Sequence, residues 1–499
     1  MGYQNLVKIV GNFPVFSLNY FLPTLVIYSF SHHIWLRDHC RCPSCFHPKT
    51  NQRLLNTFEI PSHIQPLSVQ STPEGLKVLW PVHVGSSHEQ DESSHSSPSS
   101  PAAMAEHESL YPWNWLKRNS YDPKMERNDA DFPEEKKILW NSRIAQSPPS
   151  VAYTDVINSG ENEKGLYKWL ENIDQFGFSF VTDVPPNASA TEKLVRRISF
   201  IRETHYGAFW EFTSDLAKGD TAYTNIPLGA HTDNTYFTDP CGLQLFHLLE
   251  HTSSSDPHAS DSESSPIELS NTVSTPDETS PRPEAEFFTA STTPNPNSNP
   301  SPATTPPSPK AISSSHSLGG TTLLVDGFYV ASILRQLHPD AYDLLSSVKV
   351  PAHAAGERDT AGIFSTDEGH PILTHDTSGN LIQVRWNNDD RSAVTSLPSL
   401  PGSGMTATME EWYNALRTFH TLLSSPDSEF WVQLEPGTAV IVDNHRVLHG
   451  RSGFMGRRRM CGAYVGKDEW KAKLRGLREK HRVEGGGQGD ESEVWSRYY

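Results

Sequence analysis

The strand-like runs GLQLFHLL (242–249) and TTLLVD (321–326) are separated by a segment, 252–318, that is more than half Ser, Thr and Pro, with a short apolar interruption at Phe287 and Phe288. Such a segment cannot bury enough apolar surface to offset the entropy of ordering it. Structured sequence lies close on both sides, so it reads as a disordered insertion into one domain and not as a linker between two. The fold must therefore complete one core from sequence on both sides of a long polar excursion. Residues 84–106 are also polar and poor in aromatics and read as a second insertion, and 484–499 opens a loose tail with EGGGQGDESE. These stretches account for a hydrophobic content of only 36% and a mean hydropathy of −0.52. The remainder is still long enough for a substantial core.

That remainder alternates short β-branched runs with a few helical patterns. Strands are expected at 177–183, 242–249, 321–326, 381–386, 438–443 and 460–465, and helices at 164–175, 190–204, 328–347 and 408–424. Strands dominate the C-terminal half, so the expected fold is mainly β, a sandwich or barrel with peripheral helices. The expected division is an uncertain segment at 1–30, a small N-terminal domain at 31–120 and the main domain at 150–480.

Residues 13–30 form the one long apolar run, but Pro14, Asn19 and Pro23 interrupt it. It lacks the continuity of a spanning helix and the small-residue cleavage site of a signal peptide. It is not Arg-rich, as a mitochondrial presequence would be, and reads as a buried strand pair. The net charge of −18 argues against a nucleic-acid or membrane-surface binder. Five Cys exclude a disulfide scaffold and favour a reducing, cytoplasmic compartment.

The chemistry concentrates in few places. His231-Thr232-Asp233 is an H-x-D, and in extended backbone residues i and i+2 face one way. An imidazole and a carboxylate could thus meet one metal, and His449, beyond the strand TAVIVD, would complete a two-His, one-carboxylate face. That set leaves coordination positions open and suits non-haem Fe(II). A second H-x-D, His338-Pro339-Asp340, lies among leucines and reads as a turn within or between helices. Arg458, in a run of three arginines before the strand MCGAYV, could pair with the distal carboxylate of 2-oxoglutarate, and Thr322 could add a hydroxyl. Cys40, Cys42 and Cys45 form a C-x-C-x-x-C that with one His could close a tetrahedral Zn(II) site. Cys241 and Cys461 read as buried apolar neighbours. Tyr206, Trp210, Tyr223 and Tyr464, taken alone, read as core aromatics.

The stretches GDTAYTNIPLGAHTDNTYFTDPCGLQLFHLLEH, GGTTLLVDGFYVA and FWVQLEPGTAVIVDNHRVLHGRSGFMGRRRMCGAYV occur in that order. With the N-terminal cysteines, they resemble the family of trimethyllysine and gamma-butyrobetaine dioxygenases, from about Trp35 to about Leu477 apart from the insertions. The resemblance implies a double-stranded β-helix (jelly-roll) oxygenase that depends on Fe(II), 2-oxoglutarate and ascorbate, with a small N-terminal zinc-binding β domain. It implies His231, Asp233 and His449 as iron ligands, and Arg458 and Thr322 at the cosubstrate's distal carboxylate. Tyr206, Trp210, Tyr223 and Tyr464 match the family's cage for a trimethylammonium group, which has no N–H and is recognised by aromatic faces. Asn387 matches a residue at the carboxylate end of the substrate. Asp220 stands where the gamma-butyrobetaine enzymes have Asn, and suits a substrate with an extra ammonium. For zinc, the resemblance adds His107 to the cysteines, with His83 as the alternative. Asn444-His445 departs from the family's Asn-Trp, and places His445 close to the metal, where it could compete as a ligand but reads first as an outer neighbour of the ligands.

The expected reaction is hydroxylation of trimethyllysine at C3, the first step of carnitine biosynthesis. The alternatives are gamma-butyrobetaine hydroxylation, the last step of that route, and a non-catalytic zinc-dependent binding module. The expected partner is a small-molecule substrate, with no nucleic acid and no membrane. The family adds a homodimer, and mitochondrial members as an alternative compartment.

Overall fold

The computed structural model describes residues 7–9, 15–22, 25–81, 106–124, 136–158, 160, 163–213, 224–253, 318–354, 369–399 and 406–484. Apart from their margins, both insertions and the tail lie outside these residues, as do His83, Asp220 and Tyr223.

The chain opens with strands β1 (Val7–Ile9), β2 (Val15–Leu22) and β3 (Leu25–His32), helix α1 (His33–Asp38), strands β4 (Ser68–Ser71), β5 (Gly75–Pro81) and β6 (Glu106–Pro112), and helix α2 (Trp113–Arg118). The apolar run is an antiparallel hairpin, β2 on β3, in keeping with the expected strand pair. Strands β4, β5 and β6 form a three-stranded sheet in which Pro81 stands opposite Glu106 and Trp80 opposite His107. Leu36, Leu76, Val78, Trp80, Tyr111 and Trp115 make its core.

Next come β7 (Ser150–Ala152), α3 (Tyr153–Ile157), α4 (Lys164–Phe176), β8 (Phe178–Thr182), α5 (Ala188–Arg196), β9 (Phe209–Thr213), β10 (Leu228–His231) and β11 (Leu243–Thr252). After the insertion follow β12 (Thr322–Asp326), α6 (Gly327–Leu337), α7 (Pro339–Ser347), β13 (Leu373–His375), β14 (Leu381–Val384), α8 (Met409–Leu423), β15 (Phe430–Val432), β16 (Ala439–Asp443), β17 (Val447–Arg451), β18 (Arg457–Val465) and α9 (Lys467–Glu484).

Ten of these strands form two sheets, ordered β10-β17-β12-β15 and β7-β8-β16-β11-β18-β9. All pairs are antiparallel except β7 with β8. The period-2 alternation of each strand supplies three layers of core. Leu324 and Val447 of one sheet meet Phe178, Val440, Val442 and Met460 of the other between the sheets. The opposite face of the larger sheet buries Leu243, Leu245 and Ile441 under Trp169 of α4, Leu194 of α5 and Trp470 of α9. The opposite face of the smaller sheet buries Leu323, Val325 and Leu448 under α6, α7 and α8. The mainly β fold with peripheral helices thus matches the expectation. Strands β11 and β12, either side of the long insertion, belong to different sheets of this one sandwich.

Polar locks fix the helices to the sheets. Asp326 accepts Phe328 N to cap α6 and also takes Nε and Nη2 of the fully buried Arg446 at 3.0 and 2.8 Å. The remaining donors of Arg446 reach the Gln175 and Ile138 carbonyls, so this buried pair leaves little unpaired charge. Helix α8 starts with a Thr408–Glu411 capping box. Helix α4 stops at Gly177, whose φ of 80° is strained for other residues and where a Cβ would meet Val447.

Two expected helices are corrected. The helix expected over 190–204 ends at Arg196, because the chain beyond is drawn to the sheet, where Arg202 N donates to Tyr464 O. The helix expected over 328–347 is broken at His338, because Pro339 disfavours helical geometry in the residue before it. The second H-x-D is therefore a helix–helix joint. Among the described residues, no helix is long and apolar enough to cross a membrane.

Candidate active site

Among the described residues, two groups of His, Cys and acidic side chains are spaced to hold a metal. The first is His231, Asp233 and His449. His231 ends β10 and His449 lies on β17 as its direct cross-strand partner, with ring centroids 4.6 Å apart. Asp233 follows on the loop, and its Oδ1 lies 3.3 Å from His231 Nε2 and 3.5 Å from His449 Nε2. His231 donates Nδ1–H to the Gly229 carbonyl at 2.8 Å, which leaves Nε2 as the ligand atom. Burial opposes the charge on Asp233, yet the two imidazoles hold its carboxyl well below the usual range. Burial, then the neighbouring His231, pushes His449 below its ordinary value.

Two side chains hold this carboxylate, one of them, Gln244, passed over in the sequence, and a third residue holds the Asp233 backbone. Gln244 on β11 donates Nε2 to Asp233 Oδ2 at 2.6 Å, and Tyr464 on β18 donates its hydroxyl to the same oxygen at 2.7 Å. Asn444, on the turn between β16 and β17, accepts from Asp233 N at 2.8 Å and donates Nδ2 to Asp233 O at 3.0 Å. The signal for Gln244 was available: it is the polar member of an inward alternation with Phe246 and Leu248. Asn444 gave no such signal, because a turn Asn is ordinary in sequence.

The three residues with Gln244, Tyr464 and Arg458 line one cavity of about 250 Å³ between the sheets. One end is cationic. Arg458 is 3% exposed, its Nε has no hydrogen-bond partner among the described residues, and its guanidinium lies 5.5 Å from the Phe454 ring. Arg451, also buried, stacks on the same ring at 5.1 Å and stands opposite Thr322 in the ladder. Burial, then Arg451, pulls Arg458 down to about 10. Arg451 gives its Nη2 to the Thr224 and Ile226 carbonyls, so the desolvated Arg458 guanidinium beside the buried Thr322 hydroxyl is the group that fits an anion such as a carboxylate. Arg451 was also missed, since H-G-R reads locally as a strand end.

The other wall is aromatic. Trp210 on β9 lies opposite Gly462 of β18, where a Cβ would meet the indole at 2.3 Å. Its ring is 6.4 Å from Tyr464 and 6.0 Å from Phe246. Tyr206 lines the same cavity, as do Asn387 and Asp390. Asn387 donates Nδ2 to Asp390 at 2.8 Å and accepts from Asp389 N at 3.0 Å. Three of the four expected cage residues thus meet at one cavity. The fourth, Tyr223, and Asp220 lie outside the described residues.

His445 does not join the metal group. It is buried with Nε2 at 3.3 Å from the Pro240 carbonyl and Nδ1 at 3.0 Å from Lys467 Nζ. Burial, then the Lys467 amine, pushes its pKa down to about 4.

The second group is Cys40, Cys42, Cys45 and His107. The three Sγ atoms lie 3.3, 3.6 and 3.4 Å from His107 Nε2. A tetrahedral zinc with Zn–S of about 2.3 Å and Zn–N of about 2.1 Å requires S···N near 3.6 Å, so the donor set fits. Ser109 donates to Cys40 Sγ at 3.0 Å and Arg37 to Cys45 Sγ at 3.3 Å, as outer partners of thiolate ligands do. Cys241 and Cys461 are fully buried.

Comparison with known proteins follows this geometry. A family model described as taurine catabolism dioxygenase TauD, TfdA family, matches residues 144–263 and 309–464. A gamma-butyrobetaine hydroxylase-like N-terminal model matches residues 27–87. Similar proteins include a trimethyllysine dioxygenase of Meyerozyma guilliermondii, 36% identical over 447 residues, 88% of each chain. One from Neurospora crassa is 40% identical over 443 residues, 88% of this chain and 79% of that one. A human protein named trimethyllysine dioxygenase, mitochondrial, is 33% identical over 439 residues, 88% of this chain and 80% of that one.

Proposed function

This chain belongs to the TauD, TfdA dioxygenase family, among the trimethyllysine dioxygenases, and we propose on that premise how its residues divide the work. The enzyme hydroxylates trimethyllysine in carnitine biosynthesis, at C3 in our reading. Overall, a C–H bond of the substrate, O2 and 2-oxoglutarate become a C–OH bond, succinate and CO2. Iron(II), when bound with 2-oxoglutarate, supplies the oxidising chemistry for an unactivated C–H bond.

His231, Asp233 and His449 would hold the iron, and three protein ligands would leave room for the cosubstrate and oxygen. Arg458 and Thr322 take the cosubstrate's distal carboxylate, with Arg451 beside them. Tyr206, Trp210, Tyr464 and Tyr223 enclose the trimethylammonium group by cation–π attraction. Asn387 meets the carboxylate of the amino-acid end and Asp220 its ammonium, and the distance between cage and these groups selects substrate length. The sandwich supplies the double-stranded β-helix scaffold that orients these groups toward one cavity. Cys40, Cys42 and Cys45, which follow α1, would hold a structural zinc together with His107 of β6. The observation that carries the reading is one cavity walled by the His231, Asp233 and His449 group, the buried Arg458 guanidinium and an aromatic cluster.

The test is succinate formation with Fe(II), ascorbate and 2-oxoglutarate, with trimethyllysine compared against gamma-butyrobetaine. Turnover favouring trimethyllysine is expected. A preference for gamma-butyrobetaine would move the enzyme to the last step of the same route. No turnover by iron-loaded protein with either would sink the reading.

A further inference from the structure

The two oxygens of Asp233 have separate surroundings. Oδ1 faces the His231 and His449 ligand nitrogens at 3.3 and 3.5 Å. Oδ2 faces away and receives Gln244 Nε2 at 2.6 Å and the Tyr464 hydroxyl at 2.7 Å. A carboxylate oxygen has two in-plane lone-pair directions, and two short donors occupy both. Gln244 and Tyr464 are direct cross-strand partners on β11 and β18, and Gln244 Nε2 is also 3.4 Å from the Tyr464 oxygen. The pair is therefore a rigid two-point clamp set by sheet register, not by loop conformation.

Tyr464 has a second face. Its ring stands beside Trp210 in the wall of the same cavity, with centroids 6.4 Å apart. One phenol thus touches both the place for a cation and the carboxylate at the metal. A cation held against a phenol ring draws electron density from it and strengthens its O–H as a donor. A stronger hydrogen bond on Oδ2 changes the charge left on Oδ1, and with it the ligand field that Oδ1 presents to a metal.

We propose that Gln244 and Tyr464 are positioning residues that confine Asp233 to one-oxygen coordination, and that Tyr464 transmits cation occupancy of the aromatic cluster to the metal. This rests on the metal and cage assignments above. Confinement to one oxygen keeps the neighbouring position free for the cosubstrate or oxygen. The link through Tyr464 gives the metal a signal that substrate is present without any movement of the backbone.

The test uses the full-length protein loaded with Co(II), whose visible spectrum reports ligand number and strength. Wild-type protein with 2-oxoglutarate should bind Co(II) and change its spectrum when trimethyllysine is added. Tyr464→Phe keeps the ring and removes the donor. It should weaken Co(II) binding about 10-fold and lose most of the substrate-induced spectral change. Gln244→Leu should weaken Co(II) binding to a similar extent yet keep the substrate-induced change, because Tyr464 is intact. A Tyr464→Phe protein with unchanged affinity and an unchanged substrate response would overturn the proposal while wild-type turnover leaves the functional reading standing. A wild-type protein that neither binds Co(II) nor turns over would overturn both. If Tyr464→Phe does not fold, the Gln244→Leu affinity decides alone, and wild-type affinity there overturns the clamp.

Discussion

The side-chain amide of Asn444 grips both backbone polar groups of Asp233: its Oδ1 accepts from Asp233 N at 2.8 Å and its Nδ2 donates to Asp233 O at 3.0 Å. The same Nδ2 reaches the Cys241 carbonyl at 3.1 Å, so one turn residue ties the H-x-D loop to the start of β11. Asn444→Asp keeps the size but replaces the double donor with a carboxylate facing two carbonyl oxygens. Metal affinity is expected to fall 10–100-fold, as for other groups that orient a metal ligand. Isothermal titration with Co(II) measures it; unchanged affinity would show that the loop holds Asp233 without this grip.

Arg458 is a buried cation that faces the cavity. Arg458→Met removes the carboxylate's partner and should raise the KM for 2-oxoglutarate at least about 30-fold, the equivalent of the ~2 kcal/mol lower bound for truncating a buried charge pair. The KM for trimethyllysine should move much less. Steady-state kinetics with each substrate varied in turn distinguishes this from general damage.

Gly462 makes room for the Trp210 indole. Trp210→Leu should raise the KM for trimethyllysine about 2- to 30-fold, from the ~0.5–2 kcal/mol of one cation–π contact. The KM for 2-oxoglutarate should hold. An uncharged isostere of the substrate, with a tert-butyl group in place of trimethylammonium, should bind wild type more weakly and lose less on mutation. Equal losses for both ligands would assign Trp210 to packing alone.

The cysteine group predicts one zinc per chain, resistant to removal of the iron. Cys45→Ser should lose that zinc and the packing around Trp80, read as a change in tryptophan fluorescence and in native mass. Retention of zinc by this variant would place the metal elsewhere.

Asp174 predicts acid lability. It is almost fully buried on α4, takes Lys137 at 2.5 Å and Arg478 at 2.7 Å, and also pairs with Lys471, so it locks α9 to the sandwich. Burial opposes its charge, but Lys471 and Lys137 hold the carboxyl well below the usual range. Its folded pKa is thus below the unfolded value near 4, so its stabilisation is complete above that value and is lost as pH falls below it. Asp174→Asn should cost about 3 kcal/mol at neutral pH and flatten the decline in melting temperature below pH 4. A mutant that melts like wild type at pH 7 would refute this.

What was legible in the sequence follows from the range of the interactions. The alternation of β11, β12, β16 and β18 is local, and so were their positions. The break at His338 lay in the Pro that follows it, a local rule outweighed by the leucine periodicity around it. The early end of α5 was not local: Arg202 leaves the helix for a bond to Tyr464, far along the chain. The metal face was legible because H-x-D and a later His are sparse, chemically loaded residues. The shell that orients it was not, because Gln244, Asn444 and Arg451 acquire meaning only from strand register and a turn joining two sheets. His445 shows the converse: proximity in sequence to a ligand says little when successive residues on a turn point apart.

Pro81 and Glu106 face each other at the open end of the β5–β6 ladder, one residue from His107. The chain therefore leaves and re-enters that sheet through a single port. Entropy grows slowly with the length of a closed loop, about 0.6 kcal/mol per doubling, so the port tolerates foreign cargo whose own ends lie close together.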